Sequence, residues 1–278
     1  MTWTRLIRFL SGDQTFYGDA LSAELKQARV IIGNPFEDGY VFGDIKPVTT
    51  LLSPIAPQDV KTLRLLGLNY RKHAAEAGAP LPKNPIVFHK QQTAVAGPTD
   101  DILVPPMAQV GSSVDYEVEL VAVIGKPCRN VSKEDALKYV AGFTVGDDVS
   151  QRTWQLKLGG GQWNVSKSFD TWAPIGPAIV RLESLPPAEK LKVTTKVNGE
   201  LRQSEFVSDM IFSVAEAIAF LSAGQTLLPG DLLFMGTPSG VGMGFKPEKY
   251  LRNGDVVECS MSGVGTIRNK VVFTGAKL

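Results

Sequence analysis

The chain of 278 residues is long enough for one large β-rich domain with an appendage, or for two domains of ordinary size. Lys and Arg number 29 against 28 Asp and Glu, and this balance offers no general attraction to nucleic acid or to a membrane surface, so both are excluded as partners. The first residues, MTWTRLIRFLSGDQ, lack a secretory pattern and no later apolar run reaches membrane-spanning length, so the sequence predicts a cytoplasmic protein.

Residues 1–57 are predicted to form a small β domain and its linker. Short strand-like runs, WTRLIRF, TFYGDAL, RVIIG and GYVFGDI, are separated by Gly-Asp, Asn-Pro and Asp-Gly pairs, which are typical of turns. Pro54 and Pro57 in SPIAPQDV then indicate a connection to a larger body. We therefore predict a second domain over residues 58–278.

The body that follows combines many strands with few helices. The segment SKEDALKYVAGF predicts a helix that begins at Ser132, and SVAEAIAFLSAG predicts a second one with Ser213 and Glu216 as a capping box. Asn198-Gly199 lies between strand-like runs and predicts a β-hairpin. GDLLFMGTP and GDVVECSMSGVGTIRNKVVF add strands, so the predicted fold class is α+β, mainly β, and not a nucleotide-binding βαβ array.

Two carboxylates, Glu117 and Glu119, lie in the apolar strand-like run VDYEVELVAVIG. Side chains two residues apart in a strand share a face, so the two negative charges are predicted to lie side by side. Such a pair is destabilising unless the strand is a solvated edge, each group has a basic partner, or both share a cation. Asp148, after a neighbouring strand-like run, completes a set of three oxygen donors of the kind that Mg²⁺, Mn²⁺ or Ca²⁺ binds more readily than Zn²⁺ does. From the spacing alone, the solvated edge is an equal alternative.

A histidine and a glutamate in LNYRKHAAEAG form a second candidate feature. If this run is helical, His73 and Glu76 share a face, and the carboxylate fixes the imidazole tautomer and raises its basicity. A surface pair without a role is the alternative. The loop that follows, with Gly78 and Pro80, is predicted to close over a site. The other histidine, His89, is interpreted as structural.

Polar residues in apolar or glycine-rich surroundings form a third set: Arg152, Gln155, Lys167 and Thr237. Arg and Lys bind substrate carboxylates, Arg through paired hydrogen bonds. The backbone amides of GTPSGVGMG, which contains Thr237, can hold an oxyanion, although such runs are more often simple turns. The run lacks the Gly-Lys-Ser/Thr end of a phosphate-binding loop.

These motifs, in this order, resemble the fumarylacetoacetate hydrolase family over nearly all of residues 60–275. The runs that carry the resemblance are GLNYRKHAAEAG, DYEVELVAVIGK, AGFTVGDDVSQRTWQ, SKSFDTWAPIGP, VNGELRQ and GTPSGVG. The likeness is greatest to the branch that contains fumarylacetoacetate hydrolase domain-containing protein 2. The resemblance implies a mixed β-roll, a smaller N-terminal β domain before it, and a homodimer.

The resemblance also implies roles for the candidate residues. Glu117, Glu119 and Asp148 match the family's ligands for a divalent cation, Mg²⁺ or Mn²⁺, with Ca²⁺ as a further option. His73 and Glu76 match an acid–base pair on a lid. The positions that match the family's pocket for a small 2-oxo acid substrate are Arg152, Gln155, Lys167 and Thr237.

One position departs from the family pattern. Many relatives have an acidic residue directly after the arginine of SQRTWQ, whereas this chain has Thr153 after Arg152. Whatever that acid orients in relatives therefore has no counterpart at this position.

The chemistry of the set fits a 2-oxo or β-diketo acid substrate. A bound divalent cation lowers the cost of an enolate-like state that hydrolytic C–C cleavage, decarboxylation and keto–enol tautomerisation share. We predict a metal-dependent hydrolase that cleaves a C–C bond in an acylpyruvate-like substrate, with an oxaloacetate tautomerase or decarboxylase as the alternative. A non-catalytic binding protein on the same fold is the weaker rival, because the carboxylates and the His-Glu pair are all present.

Two minor features bear on location. Ala276-Lys277-Leu278 resembles a Ser-Lys-Leu peroxisomal address, so the peroxisome is an alternative to the cytoplasm. The two cysteines, Cys128 and Cys259, lie far apart without a metal-binding pattern and are predicted to be reduced, buried thiols.

Overall fold

The computed structural model describes residues 2–275, in which strands outnumber helices. The strands are β1 (Arg5–Ser11), β2 (Gln14–Ala20), β3 (Gln27–Ile32), β4 (Val41–Pro47), β5 (Thr50–Leu52), β6 (Leu63–Gly67), β7 (Ile86–Lys90), β8 (Val95–Ala96), β9 (Ile102–Val104), β10 (Val114–Asp115), β11 (Val118–Ile124), β12 (Val140–Asp147), β13 (Ser150–Gln151), β14 (Ala173–Val180), β15 (Lys192–Val197), β16 (Glu200–Phe206), β17 (Leu232–Phe234), β18 (Val256–Met261) and β19 (Gly265–Phe273). The helices are α1 (Arg71–Glu76), α2 (Asn164–Lys167) and α3 (Val214–Ser222), with a π-helical turn at Trp154–Leu158 and several short 3-10 turns. The predicted α+β, mainly β class is confirmed.

The strands form two larger sheets. One runs in the order β4-β3-β2-β1-β14-β12-β11-β17-β6-β7, with β5 and β8 attached, and the other runs β16-β15-β18-β19-β9. Most neighbours are antiparallel, whereas β17 pairs with β6, β14 with β8 and β19 with β9 in parallel, so both sheets are mixed. The N-terminal strands continue the sheet of the body, because β1 pairs with β14. The boundary predicted after residue 57 stays a prediction.

Strand β11 lies inside the larger sheet, between β12 and β17, and each of its residues is buried. Val118 and Leu120 face the core shared by the two sheets, whereas Val121 and Val123 face a second core that includes Trp3. Since both faces are covered, the strand is a nearly continuous apolar run. Glu119 is the one charged residue in it.

Several predictions based on short-range signals are confirmed. The Oγ of Ser213 accepts from the backbone N–H of Glu216, whose carboxylate accepts from the Ser213 N–H at 2.9 Å, so α3 has its capping box. Asn198 and Gly199 have φ of 51° and 83° and connect β15 to β16, as a two-residue hairpin turn requires. The two cysteines of the described chain are buried and free.

The helix predicted to begin at Ser132 is wrong. Only Ala136–Tyr139 forms a 3-10 turn, and the residues that follow belong to β12. Strand β12 pairs with both β11 and β14 and is largely buried. These tertiary contacts outweigh the local helix signals of the segment.

Candidate active site

Three carboxylates meet beside the break between β10 and β11. The run predicted as a single strand over 114–125 is interrupted at Tyr116 and Glu117. In the break, the carbonyl oxygen of Glu117 accepts from the N–H of Asp148 at 2.9 Å, immediately after β12 ends. One oxygen each of Glu117, Glu119 and Asp148 lies within 4.8 Å of the other two. The structure therefore brings the predicted metal ligands to one point.

The three carboxylates are buried. The exposed fractions of Glu117, Glu119 and Asp148 are 6%, 1% and 0%. Because β11 also has a hydrogen-bonded neighbour on each side, the alternative of a solvated edge strand is wrong. Basic partners and a shared cation remain, and the contacts around the cluster bear on both.

Basic side chains from distant segments pair with two of these carboxylates. Lys167 Nζ lies 2.8 Å from Glu117 Oε2 and 2.6 Å from Asp148 Oδ2. Lys90 Nζ lies 2.8 Å from Asp148 Oδ1, and Arg152 Nη2 lies 2.7 Å from Glu117 Oε1. All three bases are themselves buried. Ion pairs thus offset part of the negative charge.

Glu119 has a different environment from its two neighbours. Its Oε2 accepts from the backbone N–H of Gly236 at 2.6 Å, and no ion pair to it occurs within residues 2–275. Burial raises the pKa of Glu119 well above its ordinary value, and the charges of Asp148 and Glu117 raise it further. Burial also raises the pKa of Glu117. The charges of its paired bases, chiefly that of Lys167, outweigh this effect, so the pKa of Glu117 lies below its ordinary value.

The charge balance of the cluster fits a divalent cation. Two more buried carboxylates adjoin it, since Asp115 accepts from Arg152 Nε at 2.8 Å and Asp147 accepts from the Glu117 N–H at 2.8 Å. Five carboxylates therefore face three bases, an excess of two negative charges when all are ionised. Burial raises the pKa of Asp147 to about 7, so this carboxylate, like Glu119, resists ionisation in the absence of added positive charge. An all-oxygen donor set with this excess can bind a hard divalent cation.

The His-Glu pair lies on α1, so the predicted helical spacing is confirmed. His73 Nδ1 lies 3.0 Å from Glu76 Oε2, and Glu76 Oε1 accepts from the N–H of Gly240 at 2.9 Å. The helix ends just before Gly78, whose φ of 63° suits a residue without a side chain. Because a carboxylate only accepts, His73 Nδ1 carries a proton and Nε2 of the neutral ring is left as the proton acceptor.

A cavity of about 330 Å³ lies between the carboxylate cluster and α1. The predicted site residues that line it are His73, Glu117, Arg152, Gln155, Lys167 and Thr237. Glu76, Glu119 and Asp148 lie behind this lining, where they contact the residues that face the cavity. The structure thus places the three predicted sets around one space.

The predicted substrate-binding residues already have protein partners. Gln155 Oε1 accepts from Arg152 Nη1 at 2.8 Å, and Thr237 Oγ1 donates to the carbonyl oxygen of Val118 at 2.9 Å. Lys167 pairs with two of the clustered carboxylates. Arg152 Nη2 differs, because apart from its ion-pair distance to Glu117 it forms no hydrogen bond in the described part of the chain. This nitrogen is buried and faces the Glu117 carboxylate.

Sequence reasoning missed two residues of the site, Lys90 and Asp115. Lys90 is 4% exposed and, besides its pairing with Asp148, donates to the carbonyl oxygen of Val149 at 3.0 Å. The alternation of side chains along a strand was the available signal, because Lys90 follows buried Phe88 by two residues. An isolated lysine in an apolar strand has no short-range partner that would mark it as functional.

Asp115 supplies an acid to Arg152, which has no acidic residue directly after it. Asp115 Oδ1 also accepts from the N–H of Gly242 at 2.7 Å, in the glycine-rich loop whose Gly240 binds Glu76. Thr153 instead forms a hydrogen bond between its Oγ1 and the Oγ of Ser113, at 2.7 Å. The guanidinium is therefore anchored to the same loop that holds the acid–base pair.

Comparisons with known proteins agree with the fold and with the family that the sequence resembles. The profile described as fumarylacetoacetate (FAA) hydrolase C-terminal matches residues 62–272. The chain is 44% identical over 223 residues to oxaloacetate tautomerase FAHD2B, mitochondrial, of Bos taurus, covering 80% of this chain and 69% of that protein. It is also 44% identical over 225 residues to the fumarylacetoacetate hydrolase domain-containing protein 2 homolog of Dictyostelium discoideum, covering 78% and 73%.

The crystal structure of 2-hydroxyhepta-2,4-diene-1,7-dioate isomerase from Mycobacterium marinum has the same fold. It superposes with a TM-score of 0.83 at 35% identity, covering 98% of this chain and 100% of that one. The coverage includes the N-terminal strands as well as the body. The predicted mixed β-roll is thereby confirmed.

The fold does not test the predicted location or the predicted partners of the protein. No helix formed by residues 2–275 is long and apolar enough to cross a membrane. The Bos taurus relative is named as a mitochondrial protein, which does not support a peroxisomal address for this chain. The predicted address itself, Ala276-Lys277-Leu278, lies outside the described residues. The cytoplasmic location, the homodimer and the small-molecule partner stay predictions.

Proposed function

This chain belongs to the fumarylacetoacetate hydrolase family and is an enzyme of that family, and on this premise we propose that it interconverts the keto and enol forms of oxaloacetate or a closely related 2-oxo acid. One observation carries the proposal, namely a cavity that the His-Glu pair and a buried carboxylate cluster share. Relatives named oxaloacetate tautomerase favour this reaction over the C–C hydrolysis of an acylpyruvate, the activity predicted from the sequence.

The proposed metal is Mg²⁺ or Mn²⁺, and the residues that would hold it are Glu117, Glu119 and Asp148. When bound, the cation supplies Lewis-acid stabilisation of negative charge on the 2-oxo oxygen of the substrate. The burial of the three carboxylates keeps water from screening that charge. The three bases around the cluster hold two of the carboxylates in place, and the Gly236 N–H holds Glu119.

His73 is proposed to move the proton. Tautomerisation transfers one proton between carbon 3 and the 2-oxo oxygen, and no C–C bond breaks. With Nδ1 hydrogen-bonded to Glu76, His73 accepts the carbon-bound proton at Nε2 and then returns it to the 2-oxo oxygen, and the Glu76 carboxylate stabilises the imidazolium in between. The Gly240 N–H fixes the second oxygen of Glu76, so the imidazole is held in one orientation.

Arg152 and Lys167 are proposed to orient the substrate through its carboxylate. Both side chains line the cavity and keep their charge, because the pKa of each is raised by neighbouring carboxylates against the lowering effect of burial. The Arg152 guanidinium would attract a substrate carboxylate by its charge while it stays paired with Glu117. Gln155, bonded to Nη1, keeps the guanidinium plane fixed.

The test follows the loss of enol absorbance of oxaloacetate with metal-loaded protein, alongside a coupled assay for pyruvate. His73→Gln is expected to lower kcat by about 10²–10⁴-fold, the usual contribution of a positioned acid–base group. The matched control is His89→Gln, which changes the only other histidine, an exposed one that does not line the cavity. Its rate should equal that of the wild type.

Two results would overturn the proposal. If the metal-loaded wild type does not accelerate enol loss above the rate of metal and buffer alone, the protein is not a tautomerase of oxaloacetate. If pyruvate appears from acetylpyruvate faster than the enol of oxaloacetate disappears, hydrolysis is the main activity instead. Glu119→Gln, with Glu134→Gln on the exposed surface as its control, separates loss of metal from loss of acid–base chemistry.

A further inference from the structure

The lining of the cavity has a charged part and an apolar part. The charged lining residues Glu117, Arg152 and Lys167 are joined by ion pairs and lie together. Much of the remaining wall is apolar and consists of Leu66, Leu68, Ile86, Phe88, Leu156 and Trp163. A second carboxylate placed against this wall would lose its water without gaining a charged partner, whereas a hydrocarbon group would gain from burial.

Trp163 lies in close contact with the end of β6. A Cβ atom at Gly67 would lie 2.3 Å from Cζ3 of Trp163, so the indole occupies the space that any side chain at position 67 would need. The ring of Phe88 packs edge-on against the indole, with centroids 5.4 Å apart and planes at 65°. Residues of β6 and β7 thus pack closely against the indole of Trp163.

The backbone of Trp163 is also tied to the charged end. Its carbonyl oxygen accepts from the N–H of Ser166 at 3.0 Å and from the Ser166 Oγ at 2.6 Å. Trp163 directly precedes α2, whose last residue, Lys167, binds Glu117 and Asp148. Phe88 links both ends, because Lys167 Nζ lies 4.8 Å from the centroid of its ring. The indole is therefore held at a set distance from the charged groups.

We propose that Trp163 is a specificity-determining residue, which closes the apolar end of the cavity and sets how long a hydrocarbon substituent a 2-oxo acid substrate can carry. This inference rests on the proposed function and narrows its substrate class. The substrates it selects carry their 2-oxo acid group at the charged end and an uncharged substituent that reaches the indole. Oxaloacetate carries a second carboxylate in place of such a substituent, so it would occupy only the charged part of the cavity and would not reach the indole.

The experiment measures binding and needs no turnover. N-alkyl oxamates keep the 2-oxo acid group, do not react, and carry chains of graded length, and their affinity for Mn²⁺-loaded protein can be measured by calorimetry. In the wild type, affinity should rise about fourfold for each added methylene until the chain meets the indole, and then stop rising. In Trp163→Ala the rise should continue to longer chains.

Two further variants make the measurement specific. Trp163→Phe keeps an aromatic ring on Gly67 and is expected to give an intermediate limit, which preserves the test if the alanine variant does not fold. Leu158→Ala changes an exposed side chain in the same stretch that does not line the cavity, and its chain-length profile should match the wild type.

The outcomes separate the inference from the function on which it rests. The same chain-length limit in the wild type, Trp163→Ala and Trp163→Phe overturns the role of Trp163 and leaves the proposed function standing. Failure of unsubstituted oxamate to bind the metal-loaded wild type overturns the 2-oxo acid site itself, and the inference with it. The assignment is supported if the chain-length limit increases as the side chain at position 163 becomes smaller and stays unchanged in Leu158→Ala.

Discussion

Replacement of Asp115 by asparagine is expected to loosen the cavity wall around Arg152. Asp115 Oδ2 accepts from Arg152 Nε at 2.8 Å and from the N–H of Met243 at 3.1 Å. Its Oδ1 accepts from the N–H of Gly242 at 2.7 Å and of Tyr116 at 3.0 Å. An asparagine keeps one oxygen and so retains one of these pairs of bonds. Its amide nitrogen takes the place of the other oxygen and, being a donor itself, cannot accept from the two donors there.

The lost bonds set the expected magnitude. A hydrogen bond to a charged group contributes about 1.5–3 kcal/mol and a neutral one about 1 kcal/mol, so Asp115→Asn should lower the free energy of unfolding by about 3 kcal/mol. Arg152 keeps its contacts with Glu117 and Gln155, so the loss should not exceed the value of about 3–5 kcal/mol for a buried charge left without a partner. The melting temperature should fall by roughly 6–12 °C in a chain of this size.

Denaturant unfolding followed by circular dichroism measures this loss, and steady-state kinetics measures its effect on the site. KM for the 2-oxo acid should rise because the Arg152 donors are misplaced. Asp19→Asn is the matched control. Asp19 Oδ1 alone accepts from the N–H groups of Thr4 at 2.9 Å and Arg5 at 2.8 Å, so an asparagine can keep both bonds.

The expected role of Asp115 is refuted if the free energy of unfolding of Asp115→Asn lies within about 1 kcal/mol of that of the wild type, because this difference is below the contribution of a single bond to a charged group. It is also refuted if KM stays unchanged while stability falls, because the carboxylate would then serve the fold and not Arg152. A double-mutant cycle with Arg152→Gln should give a coupling energy of at least about 1 kcal/mol.

Two other predictions concern groups outside the site. Hydrogen bonds from Lys133 and Ser213 lower the pKa of Glu216 from 4.5 to about 2, so its contribution to stability is present above its unfolded pKa and is lost as pH falls through about 2. Glu216→Gln should therefore destabilise α3 by about 1 kcal/mol at neutral pH and converge with the wild type in acid, and a difference independent of pH would contradict this. Burial raises the pKa of the Cys259 thiol well above its ordinary value, so a thiol reagent should label it only after unfolding. Labelling of the native protein at the rate of a free thiol would show the opposite.

Features that depend on residues close together in the chain could be predicted without the structure. The capping box of α3 joins residues three apart, and the Asn198-Gly199 turn needs only its own two residues. The spacing of His73 and Glu76 on a helix belongs to the same group. Caps and tight turns satisfy their backbone groups locally, so their sequence signals can be read without knowing the fold.

The neutralisation of the carboxylate cluster depends on contacts between segments that are far apart in the chain. Lys167 binds Glu117 across 50 residues, and Asp115 meets Gly242 across 127. Long-range contacts also explain why Val140–Asp147, in and after the predicted helix, is strand β12. This strand forms hydrogen bonds with β11 on one side and with β14 on the other. Such partners are chosen by sheet order and register, which depend on burying apolar side chains over the whole chain and leave no mark in a short stretch of sequence.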